Sequence, residues 1–574
     1  MNTQSVSVVL AGSGGAGVIT AGTILLEAAG EAGWYAYMTR SAGAQIRGGE
    51  ATATLRFSHS PLFCQDDQSQ LLVGIDWQNL GKYAKEMALS STGLIVTDPA
   101  QGAVPDQILA SGAAVYNIAF KKLARSVAGG RPNMLAVGAI AKVIGLPVEA
   151  IAAVLEKILG YKGEAVLTSS LDAVKLGMEL AADIPSRPVV GGVAKTETGK
   201  RWTITGNKGV GLGVIRGGVR YVAAYPITPA TEILEWLAPA LDRVGGALVQ
   251  VEDELASINH ILGASYGGVP AMTATSGPGL ALMTESIGLG VAAELPVVIV
   301  NVMRGGPSTG IPTKAEQSDL NIALHGLHGD APHIVLGANS VTDCIFTAQW
   351  SVHLAETLQV PTILLSDQGL GQAQAVVDKP REFTFDTRRL VAESPPMTGK
   401  YQRYQATESG VSEMAIPGTT GCQYTADGLE HAESGLPSSM ESDHLMQLKK
   451  RLRKLVTYDY GDYWADIEGE GEVAVLTWGS CTPAAREALA RLKAKGQSFK
   501  LISIRLLSPV LPDKFAQAMA GVKKVLVVEQ SFSAQFLHNL KSAYPLPAEV
   551  KSFARPGPLA IKPGEICEQL ESWR

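Results

Sequence analysis

The stretch AMTATSGPGLALMTESIGLGVAAELPVVIVNV, residues 271–302, decides the fold. Its two apolar runs, AMTAT and PVVIVNV, have the length and continuity of strands buried on both faces. Between them lies a helical pattern, opened by Thr275-Ser276-Gly277-Pro278-Gly279 and closed by Glu294-Leu295-Pro296. Strand, helix and strand in this rhythm make the repeating unit of a parallel sheet covered by helices. The rhythm extends upstream through ALVQV (247–251), so residues 204–378 are expected to form a doubly wound parallel-sheet domain of an α/β protein. Ligands of such sheets sit outside the carboxyl ends of the strands.

Working outward, residues 1–190 begin with VSVVLAG, the turn GSGGAG and a small-residue helix, and read as a separate α/β domain. A linker is expected at 191–203, within a stretch rich in proline, glycine and polar residues. Residues 379–460 form an irregular connecting segment that ends in the helical stretch HLMQLKKRLRKLVTY. Its basic run Lys449, Lys450, Arg451, Arg453 and Lys454 reads as a solvated helix face. Residues 461–574 return to strand-helix alternation and form a smaller α/β domain.

At 574 residues the chain exceeds one ordinary core, and about 150 residues per domain gives three or four units. With 46% hydrophobic and 18% charged residues it has the material for packed cores and is not a disordered chain. A net charge of -6 lacks the basic footprint of a nucleic-acid binder. No apolar stretch is long enough for a bilayer and the N-terminus has no basic leader pattern, so a cytoplasmic location without membrane attachment is expected. The five cysteines are scattered singly, which leaves no pattern for a cluster or zinc site, and no metal ligands are assigned to this chain.

Several motifs have the right chemistry for a site. In Tyr225-Pro226-Ile227-Thr228-Pro229 two prolines restrict the backbone around one hydroxyl, which either presents Thr228 or makes it the cap of the following helix. Glu252, Asp253 and Glu254 open a helix; one acid suffices as a cap, so another is available as an acid or base. Arg304-Gly305-Gly306-Pro307-Ser308-Thr309-Gly310-Ile311-Pro312-Thr313 joins a guanidinium to glycine N-H groups and hydroxyls, a good carboxylate receptor; the alternative is a surface loop with a solvated arginine. GSGGAG (12–17) suits a phosphate at a helix N-terminus, or is a tight turn without ligand. The strand after it ends in Thr39 and Arg40, which disfavours NAD and leaves NADP open. Gln45-Ile46-Arg47-Gly48-Gly49 places a cation beside flexible backbone.

Taken in order, YPITP, VEDELASINHILGASYGG, TSGPG, AELPVVIV and RGGPSTGIPTKAEQSDL resemble the 2-oxoacid:ferredoxin oxidoreductases over nearly the whole chain. GSGGAGVITAG with SAGAQIRGGEAT is similar to the family's γ domain, so the chain resembles an α subunit with a γ-type domain fused at its N-terminus. The resemblance implies a pyrimidine-type thiamine-diphosphate domain at 204–378 and a transketolase C-terminal-like domain at 461–574. It implies that Glu254 faces the aminopyrimidine ring of thiamine diphosphate, with Tyr225, Pro226 and Ile227 beside the cofactor. Thr228, Arg304, Thr313 and Arg47 would lie around the 2-oxoacid, with Glu254, Thr228 and Arg304 catalytic. Lys208 in TGNKGVGLG departs from the pattern, where an acidic residue is expected.

The implied reaction is the reversible, coenzyme A-dependent oxidative decarboxylation of a 2-oxoacid with electrons passing to ferredoxin. A β subunit would carry thiamine diphosphate, Mg2+ and a 4Fe-4S cluster, and an (αβ)2 heterotetramer is the expected enzyme. Fused γα chains with a single β partner resemble enzymes of 2-oxoglutarate, which would yield succinyl-CoA and CO2; pyruvate or a broad range is the alternative. A second substrate carboxylate needs a second cation, for which Arg47 and Lys314 are candidates and the β subunit a further source. Two other readings are an NADP-dependent dehydrogenase built on GSGGAG and a non-catalytic assembly subunit.

Overall fold

The computed structural model describes all residues except 1, 4, 43–48, 78–85, 185–187, 192–200, 398 and 574. Arg47 and most of the expected linker therefore lie outside the described residues. The chain forms two compact units, one of residues 1–205, 372–381 and 562–564, the other of 206–371, 382–561 and 565–574.

The first unit is built on an eight-stranded mixed sheet whose centre is the Ser5–Ser13 strand, antiparallel to Glu50–Ser58 and parallel to Ser69–Gly74. Residues Val6, Val8 and Leu10 alternate into a core shared with the Val18–Glu31 and Pro132–Ile144 helices. The Gln374–Val377 strand, within the stretch read as the second domain, pairs in this sheet with Tyr35–Ala42 and Trp202–Thr205.

The second unit contains a seven-stranded sheet in the order Ala247–Gln250, Tyr221–Ala224, Ala271–Thr275, Val298–Met303, Thr362–Asp367, Ile334–Gly337 and Leu506–Ser508. All neighbours are parallel except the last pair. Every residue of the Ala271–Thr275 and Val298–Met303 strands is buried, as expected for strands with helices on both faces. The C-terminal part has its own five-stranded sheet, centred on Val473–Thr477. Its residues Leu476, Ile502 and Val527 nevertheless belong to the same core as the larger sheet. Among the described residues no helix is long and apolar enough to cross a membrane.

The basic helix corrects the sequence reading. It spans Glu441–Val456, and Lys450, Arg451 and Lys454 are buried instead of solvated. Lys450 and Lys454, one turn apart, donate to the two oxygens of the fully buried Glu294 at 2.5 and 3.0 Å. Arg403 donates to the Glu294 carbonyl at 2.9 Å, and Arg451 pairs with Glu430. Burial alone would raise the Glu294 carboxyl, but the three cations around it hold it well below the usual carboxylate range. Burial pushes Lys450 down to about 8 against the pull of Glu294. A composition-based reading of the run misses this because the counter-charge lies more than 150 residues earlier in the chain.

Candidate active site

Four of the motifs leave the carboxyl ends of four neighbouring parallel strands. In the order of the sheet, the Ala247–Gln250 strand leads to Glu254, Tyr221–Ala224 to Tyr225-Pro229, Ala271–Thr275 to Ser276-Gly279, and Val298–Met303 to Arg304. From Tyr221–Ala224 the chain crosses to one side of the sheet, and from Ala271–Thr275 it crosses to the other. Their adjacent carboxyl ends therefore flank a topological switch point, where connections diverge and leave a crevice.

The Tyr225–Pro229 turn projects Thr228 into solvent. The following helix starts at Thr231 with Ala230 in the capping position, so Thr228 is not its cap. No described residue hydrogen-bonds the Thr228 hydroxyl. Its main-chain carbonyl accepts a 2.6 Å hydrogen bond from Arg304 Nη1. From beneath, the fully buried Asn207 donates Nδ2 to the Pro229 carbonyl at 3.1 Å. Tyr225 is exposed, Pro226 and Ile227 are half-buried, and Ile227 packs on the core.

Asp253 caps the Glu254–Tyr266 helix, accepting from Ala256 N at 2.6 Å. The cap is thus satisfied without Glu254, which is the first helical residue and only 7% exposed. Its side chain packs on Gly279 so closely that a Cβ there would lie 2.6 Å from Glu254 Cγ, 2.8 Å from Oε1, and on top of Thr275 Oγ1. Among the described residues nothing hydrogen-bonds the Glu254 carboxyl. A mostly buried carboxyl without an internal donor fits a ligand that brings its own donor, such as the ring nitrogen of an aminopyrimidine. The residues present therefore fit the pyrimidine end of thiamine diphosphate.

Arg304 is 6% exposed, so the solvated-loop alternative does not hold. Burial lowers its pKa, and Asp319 opposes that shift. The loop after it folds back on itself: Ile311 N donates to Gly305 O at 2.7 Å and Gly305 N to Lys314 O at 3.0 Å. Thr313, half-buried, lies in this return. Gln317 fastens the loop to the C-terminal sheet, donating to the Trp478 carbonyl at 2.9 Å and accepting from Gln530 N at 2.8 Å.

The structure thus brings Thr228 to Arg304 and Glu254 to Gly279. Asn207 and Gln317, which support them, stand inside the quoted stretches TGNKGVGLG and RGGPSTGIPTKAEQSDL, but no local signal singles them out there. In the first unit, Asp76 accepts from Ser13 N at 3.0 Å and from Ser13 Oγ at 2.8 Å. A carboxylate therefore occupies the turn of GSGGAG, where a pyrophosphate would need neutral N-H groups. Of the two readings of that motif, the geometry matches the tight turn. Among the described residues no three His, Cys, Asp or Glu side chains converge as a metal site.

Residues 212–450 match the family described as pyruvate flavodoxin/ferredoxin oxidoreductase, thiamine diP-binding. Residues 7–180 match pyruvate ferredoxin/flavodoxin oxidoreductase, and 463–569 the transketolase C-terminal domain. Fold and site together define a thiamine-diphosphate-binding α/β chain. The 2-oxoglutarate synthase subunit KorA of Methanothermobacter marburgensis is 34% identical over 379 residues, 65% of this chain and 98% of that subunit. A 2-oxoacid:ferredoxin oxidoreductase subunit alpha from Sulfolobus is 29% identical, covering 92% of this chain and 90% of its own. A solved structure, 2-oxoglutarate:ferredoxin oxidoreductase from Magnetococcus marinus with 2-oxoglutarate, coenzyme A and succinyl-CoA bound, superposes with a TM-score of 0.91 at 36% identity, covering 100% of both chains. This chain belongs to the 2-oxoacid:ferredoxin oxidoreductase family, as the α subunit of a multisubunit oxidoreductase.

Proposed function

We propose that the chain is the α subunit of a 2-oxoglutarate:ferredoxin oxidoreductase, which converts 2-oxoglutarate and coenzyme A to succinyl-CoA and CO2, reversibly, with electrons passing to ferredoxin. The observation that carries the choice of substrate is the full-length match to the Magnetococcus marinus enzyme, supported by KorA relatives at 33–35% identity. The relatives from Sulfolobus and Saccharolobus solfataricus, named only for 2-oxoacids, favour a broader range as the second reading.

Bound thiamine diphosphate would supply the electron sink for decarboxylation. Glu254 would share a proton with the aminopyrimidine ring, which makes an amino nitrogen of that ring able to take up a proton, and a carboxamide could not do so. Tyr225, Pro226 and Ile227 would wall the ring. The Arg304 guanidinium would hold the substrate carboxylate, with Thr313 near it and the Thr228 hydroxyl aimed at the keto group. Arg47 and Lys314 are the candidates for the substrate's second carboxylate, with the β subunit as a further source of a cation. Mg2+ and the 4Fe-4S cluster are assigned to a β subunit, in an (αβ)2 assembly that reduces ferredoxin.

The test is dye reduction by the complex purified with its β subunit. Coenzyme A-dependent activity with kcat/KM at least about tenfold higher for 2-oxoglutarate than for pyruvate supports the assignment. Equal or reversed preference contradicts the substrate; absence of any 2-oxoacid-dependent activity contradicts the function.

A further inference from the structure

The C-terminal sheet runs in the order Ala465–Glu468, Lys500–Ile504, Val473–Thr477, Lys524–Glu529 and Glu549–Ala554. From Val473–Thr477 the chain moves on to Lys500–Ile504 on one side, and from the neighbouring Lys524–Glu529 to Glu549–Ala554 on the other. These two parallel strands therefore flank a second topological switch point, where an open α/β sheet receives a ligand at its carboxyl ends. Here that place is taken by Gln317, 1% exposed, from the loop that follows Arg304. Its Nε2 donates to the carbonyl of Trp478, just past one strand, at 2.9 Å, and its Oε1 accepts from Gln530 N, just past the other, at 2.8 Å. Cys481 Sγ donates to the same Oε1 at 3.3 Å. Gln317 N in turn donates to Gln530 O at 2.8 Å, and Gln530 Nε2 to Ala315 O at 3.2 Å. Two glycines make room for this limb: a Cβ on Gly479 would lie 2.5 Å from Gln317 Nε2, and one on Gly557 2.4 Å from Ala315 O.

The loop leaves the large sheet at the buried Arg304, is exposed over residues 306–312, and becomes buried again on its returning limb at Ala315 and Gln317. Gln530 grips both of those residues. The two limbs are tied at their base, where Gly305 N donates to Lys314 O at 3.0 Å. A continuous path of hydrogen bonds and chain thus runs from the carboxyl ends of the C-terminal strands to the residue next to Arg304. A buried amide bonded through both its nitrogen and its oxygen fixes one register, which apolar packing alone does not. Resting on the substrate site proposed above, we propose that Gln317 is a positioning residue for the 2-oxoacid reaction. Seated in the switch-point crevice of the C-terminal sheet, it lets that domain hold the 304–317 loop where Arg304 and Thr313 receive the substrate carboxylate. Gln317 does not touch the substrate; its effect passes through the loop.

The test compares Gln317→Met, Gly479→Ala, their double variant and Arg304→Lys in the complex with the β subunit, using equilibrium binding of oxalylglycine, a non-decarboxylating mimic of 2-oxoglutarate, alongside steady-state kinetics. Gln317→Met keeps the volume and loses the amide; it is expected to weaken oxalylglycine and raise the KM for 2-oxoglutarate about tenfold, with kcat and the KM for coenzyme A changed less than about threefold. Gly479→Ala crowds the amide from the C-terminal side without altering the loop, so it gives a loss in the same direction, and the double variant loses less than the sum of the two. Oxalylglycine binding within about twofold of wild type in Gln317→Met overturns the inference whatever happens to the melting temperature, as does full additivity with Gly479→Ala. An equal loss in kcat or in the KM for coenzyme A marks general disruption and overturns it too. If Gln317→Met fails to assemble, unchanged binding in Gly479→Ala overturns it equally. Arg304→Lys separates the two levels: unchanged binding there overturns the substrate site itself, whereas a loss there without one in Gln317→Met overturns only the role of Gln317.

Discussion

Arg304 Nη1 holds the main-chain carbonyl of Thr228 at 2.6 Å, so the Tyr225–Pro229 turn after one strand is clamped by the guanidinium that ends another, two places along the sheet. The clamp uses the Thr228 backbone, and no described residue hydrogen-bonds its hydroxyl. Thr228→Ala should therefore leave the melting temperature nearly unchanged, since little more than about 0.5 kcal/mol is at stake at an exposed position. It should lower kcat/KM for the 2-oxoacid by about tenfold to a hundredfold, with Thr228→Ser closer to wild type. Steady-state kinetics beside a thermal melt checks both; a large stability loss with normal kinetics would assign Thr228 to the fold.

Gly279 stands where a side chain would strike both Glu254 and Thr275. Gly279→Ala should destabilise the chain by about 1–3 kcal/mol and cost more activity than stability, because Glu254 is displaced. Gly263, in the same helix as Glu254, has open space around it. Gly263→Ala should be neutral or stabilising by up to about 1 kcal/mol. Denaturant unfolding of the pair distinguishes local crowding from a general intolerance of alanine.

The Glu294 cluster makes a pH prediction. A carboxyl held below its unfolded value of 4.5 contributes stability above that pH and loses it as the pH falls further. Lys450, held near 8 against 10.5 when unfolded, binds fewer protons folded than unfolded between those values, so stability should rise with pH across that window. Glu294→Gln should lower stability by about 3–5 kcal/mol at neutral pH by leaving buried lysines unpaired, and should flatten the acid limb. Lys450→Met should shrink the alkaline rise without abolishing it, because burial lowers Lys454 as well. Melting temperatures from pH 3 to 10.5 read all three.

With Asp76 bound in the GSGGAG turn, the isolated chain should bind NADPH no more tightly than a non-specific control and should not turn it over. Fluorescence titration decides this. Asp76→Asn, which keeps the shape but weakens charge-assisted hydrogen bonds to Ser13, should cost about 1–2 kcal/mol without creating a nucleotide site.

The parallel sheet was legible in the apolar runs AMTAT and PVVIVNV, and the four site turns in their glycine, proline and acid patterns, because strand burial and backbone restriction are local properties. The use of each residue was less legible. Asp253 rather than Thr228 turned out to be a cap, a distinction set by where the helix begins within three residues. Lys450 and Lys454 read as solvent-facing because their partner, Glu294, is remote in sequence. Asn207 and Gln317 escaped notice for the same reason: their meaning lies in contacts with Pro229 and Trp478 that exist only once strands are adjacent. The strand Gln374–Val377 pairs across more than 330 residues, and no periodicity in its four residues announces that.

The most direct test of the central claim, that this chain supplies a buried carboxyl to a thiamine cofactor, is Glu254→Gln in the complex with the β subunit, assayed for coenzyme A-dependent dye reduction by 2-oxoglutarate. The account predicts an assembled complex that still binds thiamine diphosphate but whose kcat falls by about a hundredfold or more, since an amide cannot share the ring proton. Activity within a few-fold of wild type would contradict it and return Glu254 to the role of a helix-opening acid.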